Sequence, residues 1–379
     1  MPTNNKLKIA FVLDDGLDPP NGVQQYVLDM GRWLTSKGHQ VHYLVGETKR
    51  KDIENIHVLS RNVKVRFNGN TGTMPLPTSS KKIKKILFSE NFDILHVQMP
   101  YSPFFAHKVI KLAPSSTKII GTFHIAPNTR TVSIANTLLG FWVKKSLSRF
   151  DKFLSVSSAA KDFAYKTFRI DSEISPNVVD IKHFNNSDAF DEYRNNQIKI
   201  LFLGRLVPRK GCQILLESIK HINENKNIDL KVIICGKGEM LNKLREYTSR
   251  NKLSHIVEFK GFVSEAEKPR YYKSANIAVF PSSGGESFGI VLLEAMASGN
   301  CAVLAGDNPG YRSVMLDKPE LLFSPKNTSE LSSKLLNLID NPDYLQEVIQ
   351  WGNEYVKKFD VSTVGSQLLE TYLTSLQKT

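Results

Sequence analysis

The sequence predicts an α/β protein made of two doubly wound parallel-sheet domains, and three observations predict it. Short apolar runs that end in polar residues recur along the chain with helix-length segments between them, the alternation of a parallel sheet. This pattern stops at residues 180–197, "DIKHFNNSDAFDEYRNNQ", a polar stretch rich in Asn and Asp, and then restarts. The 379 residues, 41% of them apolar, hold material for two cores at about 100–200 residues per domain.

The elements follow in order. "KLKIAFVL" (6–13) is a strand, "DDGLDPPNG" (14–22) a loop, and "VQQYVLDMGRWLTSKG" an amphipathic helix that stops at Gly38. "HQVHYLV" (39–45), "FDILHVQ" (92–98), "TKIIGTFH" (117–124) and "KFLSVSS" (152–158) are the further strands of a first domain, residues 1–179. Residues 180–197 are expected to be an interdomain linker. A second domain, 198–355, follows with strands in "IKILFLGRL", "LKVIICGKG", "IVEFKGFV", "ANIAVFPSS", "NCAVLAG" and "ELLFSP". The segment from about 329 to 379 reads as helices, punctuated by Pro342. Ligands of such sheets collect at the carboxyl ends of the strands.

Composition bounds the setting. No basic start joined to an apolar run opens the chain, so a signal peptide is not expected, and no stretch reaches the roughly 20 apolar residues of a spanning helix. Cys212, Cys235 and Cys301 lie singly in apolar segments, which predicts buried thiols in a reducing cytosol and neither disulfides nor zinc. The net charge is +13, and residues 1–190 carry most of it, with 26 Lys+Arg against 15 Asp+Glu. A basic half of this kind suits nucleic acid, an anionic membrane or a solvated face. No basic stripe interleaved with aromatics supports nucleic acid.

Chemistry concentrates at strand ends. In "SSGGESFGIVLLEAMASG" (282–299) a strand runs into Gly284 and Gly285, then into a helix ending at Gly299. First-turn amides near Ser287, Phe288, Gly289, Ile290 and Val291 would face an anion such as a diphosphate, with Glu286 beside it and Glu294 one turn deeper. "GRLVPRKG" (204–211) places Arg205, Arg209 and Lys210 at another strand end, where phosphates could bind. "CGKG" (235–238) lacks the third glycine of a dinucleotide fingerprint, which disfavours a dehydrogenase. Gly22 opens the first helix and lets backbone approach a ligand, and His124 closes the "GTFH" strand. No Asp-x-Asp, P-loop, G-x-S-x-G or His/Cys cluster occurs, so no metal seat is expected.

Together, "GGESFGIVLLEAMASG", "FLGRLVPRKG", the N-terminal "GV" loop and "GTFH" resemble the retaining GT-B glycosyltransferases of family 4, and most of all the bacterial phosphatidylinositol mannosyltransferases. The resemblance spans almost the whole chain. It implies two Rossmann-like domains facing a cleft, with a C-terminal helix from about 356 to 379 packing back on the first. It implies a nucleotide-sugar donor and no metal cofactor. Arg205 and Lys210, with Arg209, would hold the diphosphate and stabilise the departing nucleotide; Glu286 would bond the donor sugar and Glu294 the ribose. The amides of Gly289, Ile290 and Val291 would meet phosphates and sugar, and Val263, Glu265 and Lys268 the nucleoside. Gly22 would approach the diphosphate, and His124 the sugar.

On the acceptor side the resemblance points to Asp18, Gln24 and Asn68, and to a basic helix, "SSKKIKKIL" (79–87). There Lys81, Lys82, Lys84 and Lys85, with Ile83, Ile86 and Leu87 between them, would touch anionic membrane. Asp15 stands where an aromatic is usual, "HVQMP" (96–100) replaces a second His and an acidic residue, and Val178 stands in "SPNVVD" where Asn-Gly is common. The implied activity is transfer of a hexose, mannose from GDP-mannose, to a membrane lipid such as phosphatidylinositol, at the cytoplasmic face of the cell membrane and with no obligate protein partner. The alternative is a UDP-sugar enzyme of the same family acting on another lipid or on a soluble or polysaccharide acceptor.

Overall fold

A computed structural model describes residues 6–18, 21–67, 70–124, 143, 145–226 and 228–377. Two compact units emerge: Met1–Val178 with Val361–Thr379, called unit 1, and Val179–Asp360, called unit 2.

Unit 1 is built on seven parallel strands: β1 (Lys8–Leu13), β2 (Gln40–Val45), β3 (Ile56–Val58), β6 (Ile94–Gln98), β7 (Lys118–Phe123), β8 (Lys152–Ser155) and β9 (Glu173–Ile174), in the order β3-β2-β1-β6-β7-β8-β9. Alternate residues of β1 serve opposite faces. Ile9, Phe11 and Leu13 join Tyr26, Met30 and Leu34 of helix α1 (Gly22–Ser36) and Val364, Leu368 and Tyr372 of the C-terminal helix Val361–Gln377. Ala10 and Val12 join Ile83 and Leu87 of α2 (Ser80–Glu90) and Val109 and Ile110 of α3 (Phe105–Leu112). Helices on both faces explain why these strands read as continuous apolar runs. Each large side chain buried in this way stabilises the unit by about 1.5–3 kcal/mol.

A separate antiparallel pair, β4 (Asn62–Phe67) with β5 (Asn70–Pro75), was not expected. Its signal in the sequence is Asn68-Gly69 after the alternation of Val63, Val65 and Phe67.

Unit 2 has six parallel strands, β10 (Ile198–Leu203), β11 (Leu230–Cys235), β12 (Val257–Gly261), β13 (Ile277–Phe280), β14 (Ala302–Gly306) and β15 (Leu322–Phe323), in the order β12-β11-β10-β13-β14-β15. The register pairs Ile200 of the central β10 with Val232 on one side and Ile277 on the other. The polar stretch 180–197 corrects the linker expectation, because it is folded into this unit. It forms the helix Ile181–Asn185 and a 3-10 turn Asp191–Tyr193. Its aromatics anchor it: Phe184 lies 6.0 Å from the Tyr272 ring, and the Tyr193 hydroxyl donates to Glu258 at 3.0 Å.

The three cysteines are buried free thiols, and burial pushes Cys235 and Cys301 up to about 12. No helix among the described residues is long and apolar enough to cross a membrane.

Candidate active site

The expected unit 2 residues gather at the carboxyl ends of β10 and β13. Beyond β10 the chain makes the 3-10 turn Pro208–Lys210, which carries Arg209 and Lys210 toward the loop that follows β13. There three donors converge on Glu286 Oε1: the Arg209 guanidinium at 2.8 Å, the Lys210 ammonium at 2.8 Å and the Ser282 hydroxyl at 2.7 Å. Arg209 also donates to the Gly284 carbonyl at 3.3 Å. Burial acts to raise the Glu286 carboxyl, but Lys210, then Arg209 and Ser282, outweigh it and hold the group below the ordinary carboxylate value. Glu286 is therefore a fixed anion and a poor proton donor. Arg205, exposed just beyond β10, adds a third cation within electrostatic reach of Glu286.

Glycine fixes the wall of this site. At Gly289, φ is +124° and an added Cβ would lie 2.7 Å from the Tyr311 ring, so only glycine opens the helix Ile290–Ala297 here. At Gly310 a Cβ would sit 2.2 Å from the Glu286 carbonyl oxygen, so its absence lets the helix Pro309–Val314 press against the Glu286 backbone. The half-buried Ile290 and Val291 lie in the first turn of the helix Ile290–Ala297, where N–H groups lack intrahelical acceptors. Ser287 is half-buried, and Phe288 is buried with its ring 5.8 Å from that of Phe359.

Deeper along the same helix, Glu294 is buried and accepts from the Tyr272 hydroxyl at 3.0 Å and from Lys268 at 3.4 Å. Lys268 pairs with Glu265 at 2.8 Å. Burial works against the Lys268 charge, yet Glu294 and Glu265 overcome it and raise the ammonium above its ordinary value. Val263 is buried next to Phe262, which is 66% exposed with the Lys237 ammonium 5.8 Å from its ring centre. Sequence reasoning missed Ser282, Tyr272 and Asn308. Asn308 donates to the Ser282 carbonyl at 3.0 Å and caps the helix Pro309–Val314 through the Tyr311 amide.

The expected unit 1 residues also lie near strand ends, among different partners. His124, buried after β7, pairs through Nε2 with Gln98 Oε1 at 2.7 Å and packs against the Tyr26 ring at 5.2 Å; burial lowers its pKa to about 3. Gly22 begins α1. The buried Gln24 donates to Asp15 Oδ2 at 3.0 Å and to the Gly16 carbonyl at 3.3 Å, so Asp15 orients Gln24. Asp18 accepts from the Thr48 hydroxyl at 2.6 Å and from the Lys49 amide. Asn68 lies outside the described residues.

On α2, Lys81, Lys82, Lys84 and Lys85 are exposed, and Lys82 donates to the Val58 carbonyl at 2.6 Å. Ile83 and Leu87, with Ile86 packed beside them, serve the core of unit 1. The outward apolar residue is Phe88, 65% exposed.

Among the described residues, His42, His57 and Glu90 bring possible metal-ligand atoms within 4.8 Å of one another. They lie near the start of β1, where Lys8 pairs with Glu90 at 3.3 Å, away from the strand ends just described. A hydrogen bond of 2.9 Å between His42 Nδ1 and His57 Nε2 occupies one nitrogen of each ring.

Comparison with known proteins identifies the family and the fold. Residues 20–183 match the family described as Glycosyltransferase Family 4, and residues 185–355 match Glycosyl transferases group 1. The chain is 29% identical over 377 residues to a phosphatidyl-myo-inositol mannosyltransferase of Mycobacterium tuberculosis, covering 97% of each chain. Its fold matches a glycosyltransferase from Rickettsia africae with a TM-score of 0.75 at 19% identity, over 99% of this chain and 100% of that one. It also matches Anabaena Alr3699/HepE, solved with UDP-glucose, with a TM-score of 0.68 at 16% identity, over 97% and 100%. The two parallel-sheet units thus have the GT-B fold, and the chain belongs to the glycosyltransferases that place a family 4 domain before a group 1 domain.

Proposed function

We propose that the chain transfers mannose from GDP-mannose to a membrane lipid such as phosphatidylinositol, with retention of configuration and without a metal ion. The observation that carries this reading is the convergence of Lys210, Arg209 and Ser282 on Glu286 at the ends of β10 and β13. Three cations, Arg205 included, surround one carboxylate, and the surplus positive charge suits a diphosphate. It suits a departing nucleoside diphosphate better still, because negative charge grows on it as the sugar bond breaks. Side-chain cations supply the charge that a metal would supply elsewhere, and the sequence has no Asp-x-Asp to seat one.

Glu286 positions the sugar in this reading. Its lowered pKa leaves it without a proton to give, and its bound Oε1 suits it to accept from sugar hydroxyls through the other oxygen. Departure and attack on one sugar face then require no carboxylate nucleophile, unlike a retaining glycosidase whose two carboxyls straddle the bond about 5 Å apart. Glu294 meets the ribose, Val263, Glu265 and Lys268 the nucleoside, and the amides of Gly289, Ile290 and Val291 the phosphates. His124 and Gly22 keep the roles implied for them toward sugar and diphosphate, and Asp18 and Gln24 theirs toward the acceptor.

Mannose and the inositol lipid follow the Mycobacterium relative, whose name carries both and whose match runs over 97% of each chain. A peripheral position on the cytoplasmic face of the membrane rests on α2, where Lys81, Lys84 and Lys85 are exposed with Phe88 beside them.

The test is a donor screen. Purified protein is incubated with labelled GDP-mannose and with UDP-sugars, with and without phosphatidylinositol vesicles. The expected result is GDP release that depends on the lipid, with an α-linked product by NMR. Release of UDP alone moves the chain to the UDP-sugar alternative, and no nucleotide release from any donor sinks the proposal. In vesicle co-sedimentation, replacing Lys81, Lys84 and Lys85 with Ser should weaken binding to anionic vesicles by about 1 kcal/mol per lysine, an effect that salt should erase. Unchanged co-sedimentation would remove α2 as the contact.

A further inference from the structure

Gln98 ends β6 beside the end of β7, where the register pairs it with Thr122, two residues before His124. It is 1% exposed, and its amide makes two hydrogen bonds. Its Nε2 donates to the His96 carbonyl at 3.2 Å, and its Oε1 faces His124 Nε2 at 2.7 Å. The opposite orientation of the amide would set its oxygen against the His96 carbonyl, acceptor against acceptor, in a buried site. The amide is therefore held one way round. An amide oxygen only accepts, so the hydrogen of this bond must sit on His124 Nε2.

The anchor is itself held. His96 is fully buried, and both ring nitrogens are engaged at 2.7 Å, Nδ1 with the Tyr372 hydroxyl and Nε2 with the Thr122 hydroxyl. The Tyr26 ring meets His124 nearly edge-on, which restricts ring rotation.

We propose that Gln98 is a positioning residue that locks His124 as a neutral imidazole protonated on Nε2, with Nδ1 presented as a hydrogen-bond acceptor. Its bearing on turnover rests on the proposed role of His124 as a donor-sugar contact. An Nδ1 lone pair can accept from a sugar hydroxyl but can donate nothing to the departing nucleotide. Proton traffic therefore bypasses His124, and the residue acts by orientation. The group that faces His124 from α1 is Tyr26, and those that face it from β6 are His96 and Gln98, with Tyr372 behind His96. None of these carries a charge at neutral pH to draw a second proton onto the ring.

The test is long-range ¹H–¹⁵N correlation NMR on the full chain labelled in its nine histidines, with His124 assigned by loss of its signals in His124→Leu. The wild type should show one ring nitrogen bearing hydrogen, Nε2, unchanged from about pH 5.5 to 8.5. Gln98→Met, close in volume but without an acceptor, should mix the tautomers and lower kcat about tenfold at an unchanged KM for the donor. Gln98→Glu, which keeps an acceptor oxygen, should draw a second proton onto the ring and give kcat/KM an acid limb that the wild type lacks. A wild-type His124 protonated on Nδ1, or one that titrates across that range, overturns the proposal even if neither variant folds. So does a Gln98→Met spectrum with the wild-type tautomer. Wild-type turnover in His124→Leu, with the Nε2 tautomer intact in the parent, would remove the sugar-contact role and leave the lock standing.

Discussion

In unit 2, Arg209 and Lys210 reach Glu286 within 2.8 Å at the strand ends, whereas in unit 1 the strand ends bring Asp14, Gln98 and His124 among neutral partners. Asp14 accepts from the Ser102 hydroxyl and from the Ala106 amide at 2.8 Å, and burial pushes it up to about 6 from 3.8. One sheet therefore gathers full charges with the positive sign in excess, and the other biases its titratable groups toward their neutral forms at the same topological position. The difference matches the two tasks proposed for these strand ends. Holding and releasing a diphosphate needs cations, while orienting hydroxyl groups needs hydrogen bonds whose direction is fixed in advance.

Three substitutions break or sharpen this contrast, taken from the largest expected effect to the smallest. Lys210→Ala should lower nucleotide release on the order of 10³-fold while leaving the thermal midpoint nearly unchanged, since Arg209 and Ser282 still hold Glu286. Rates near wild type, measured at saturating donor, would show that the charged end is not where turnover occurs.

Asp14→Asn probes the neutral end. The native state of the wild type binds a proton at Asp14 more tightly than the unfolded chain does. That contribution is fully present below about pH 4 and is lost as the pH rises through about 6. Relative to Asp14→Asn, the wild type should lose about 3 kcal/mol of stability from well below pH 4 to well above pH 6, read from urea unfolding at a series of pH values. Parallel profiles for the two proteins would contradict a raised carboxyl.

The mildest change, Glu294→Gln, keeps an acceptor for Tyr272 and leaves Lys268 paired with Glu265. It should raise the donor KM about tenfold with kcat little altered, the signature of uniform binding. A fall in kcat at constant KM would move Glu294 into the chemical step.

The sequence made the charged end more legible than the neutral one, for a physical reason. Cations and glycines that serve a ligand cluster within short loops, so "GRLVPRKG" and "GGESFG" announce themselves in one dimension. Gln98 and His124 are 26 residues apart and meet only because β6 and β7 pair in parallel, so the partnership is a property of register. Tyr272 escaped notice for the same reason, as a helix residue that reaches Glu294 across 22 positions. The strands themselves were legible because both faces of each sheet are covered, which makes their apolar runs continuous. The stretch 180–197 misled because its few aromatics, Phe184, Phe190 and Tyr193, carry its anchoring while the polar residues around them set its composition.

The C-terminal helix has a consequence for the order of synthesis. Val364, Leu368 and Tyr372 complete the core that begins with Ile9 and Phe11, and the Tyr372 hydroxyl holds His96. A ribosome therefore delivers all of Val179–Asp360 before the first sheet can bury its last side chains. The first sheet is made before unit 2 yet closed after it, and until then it stands open with an apolar seam waiting for the helix Val361–Gln377.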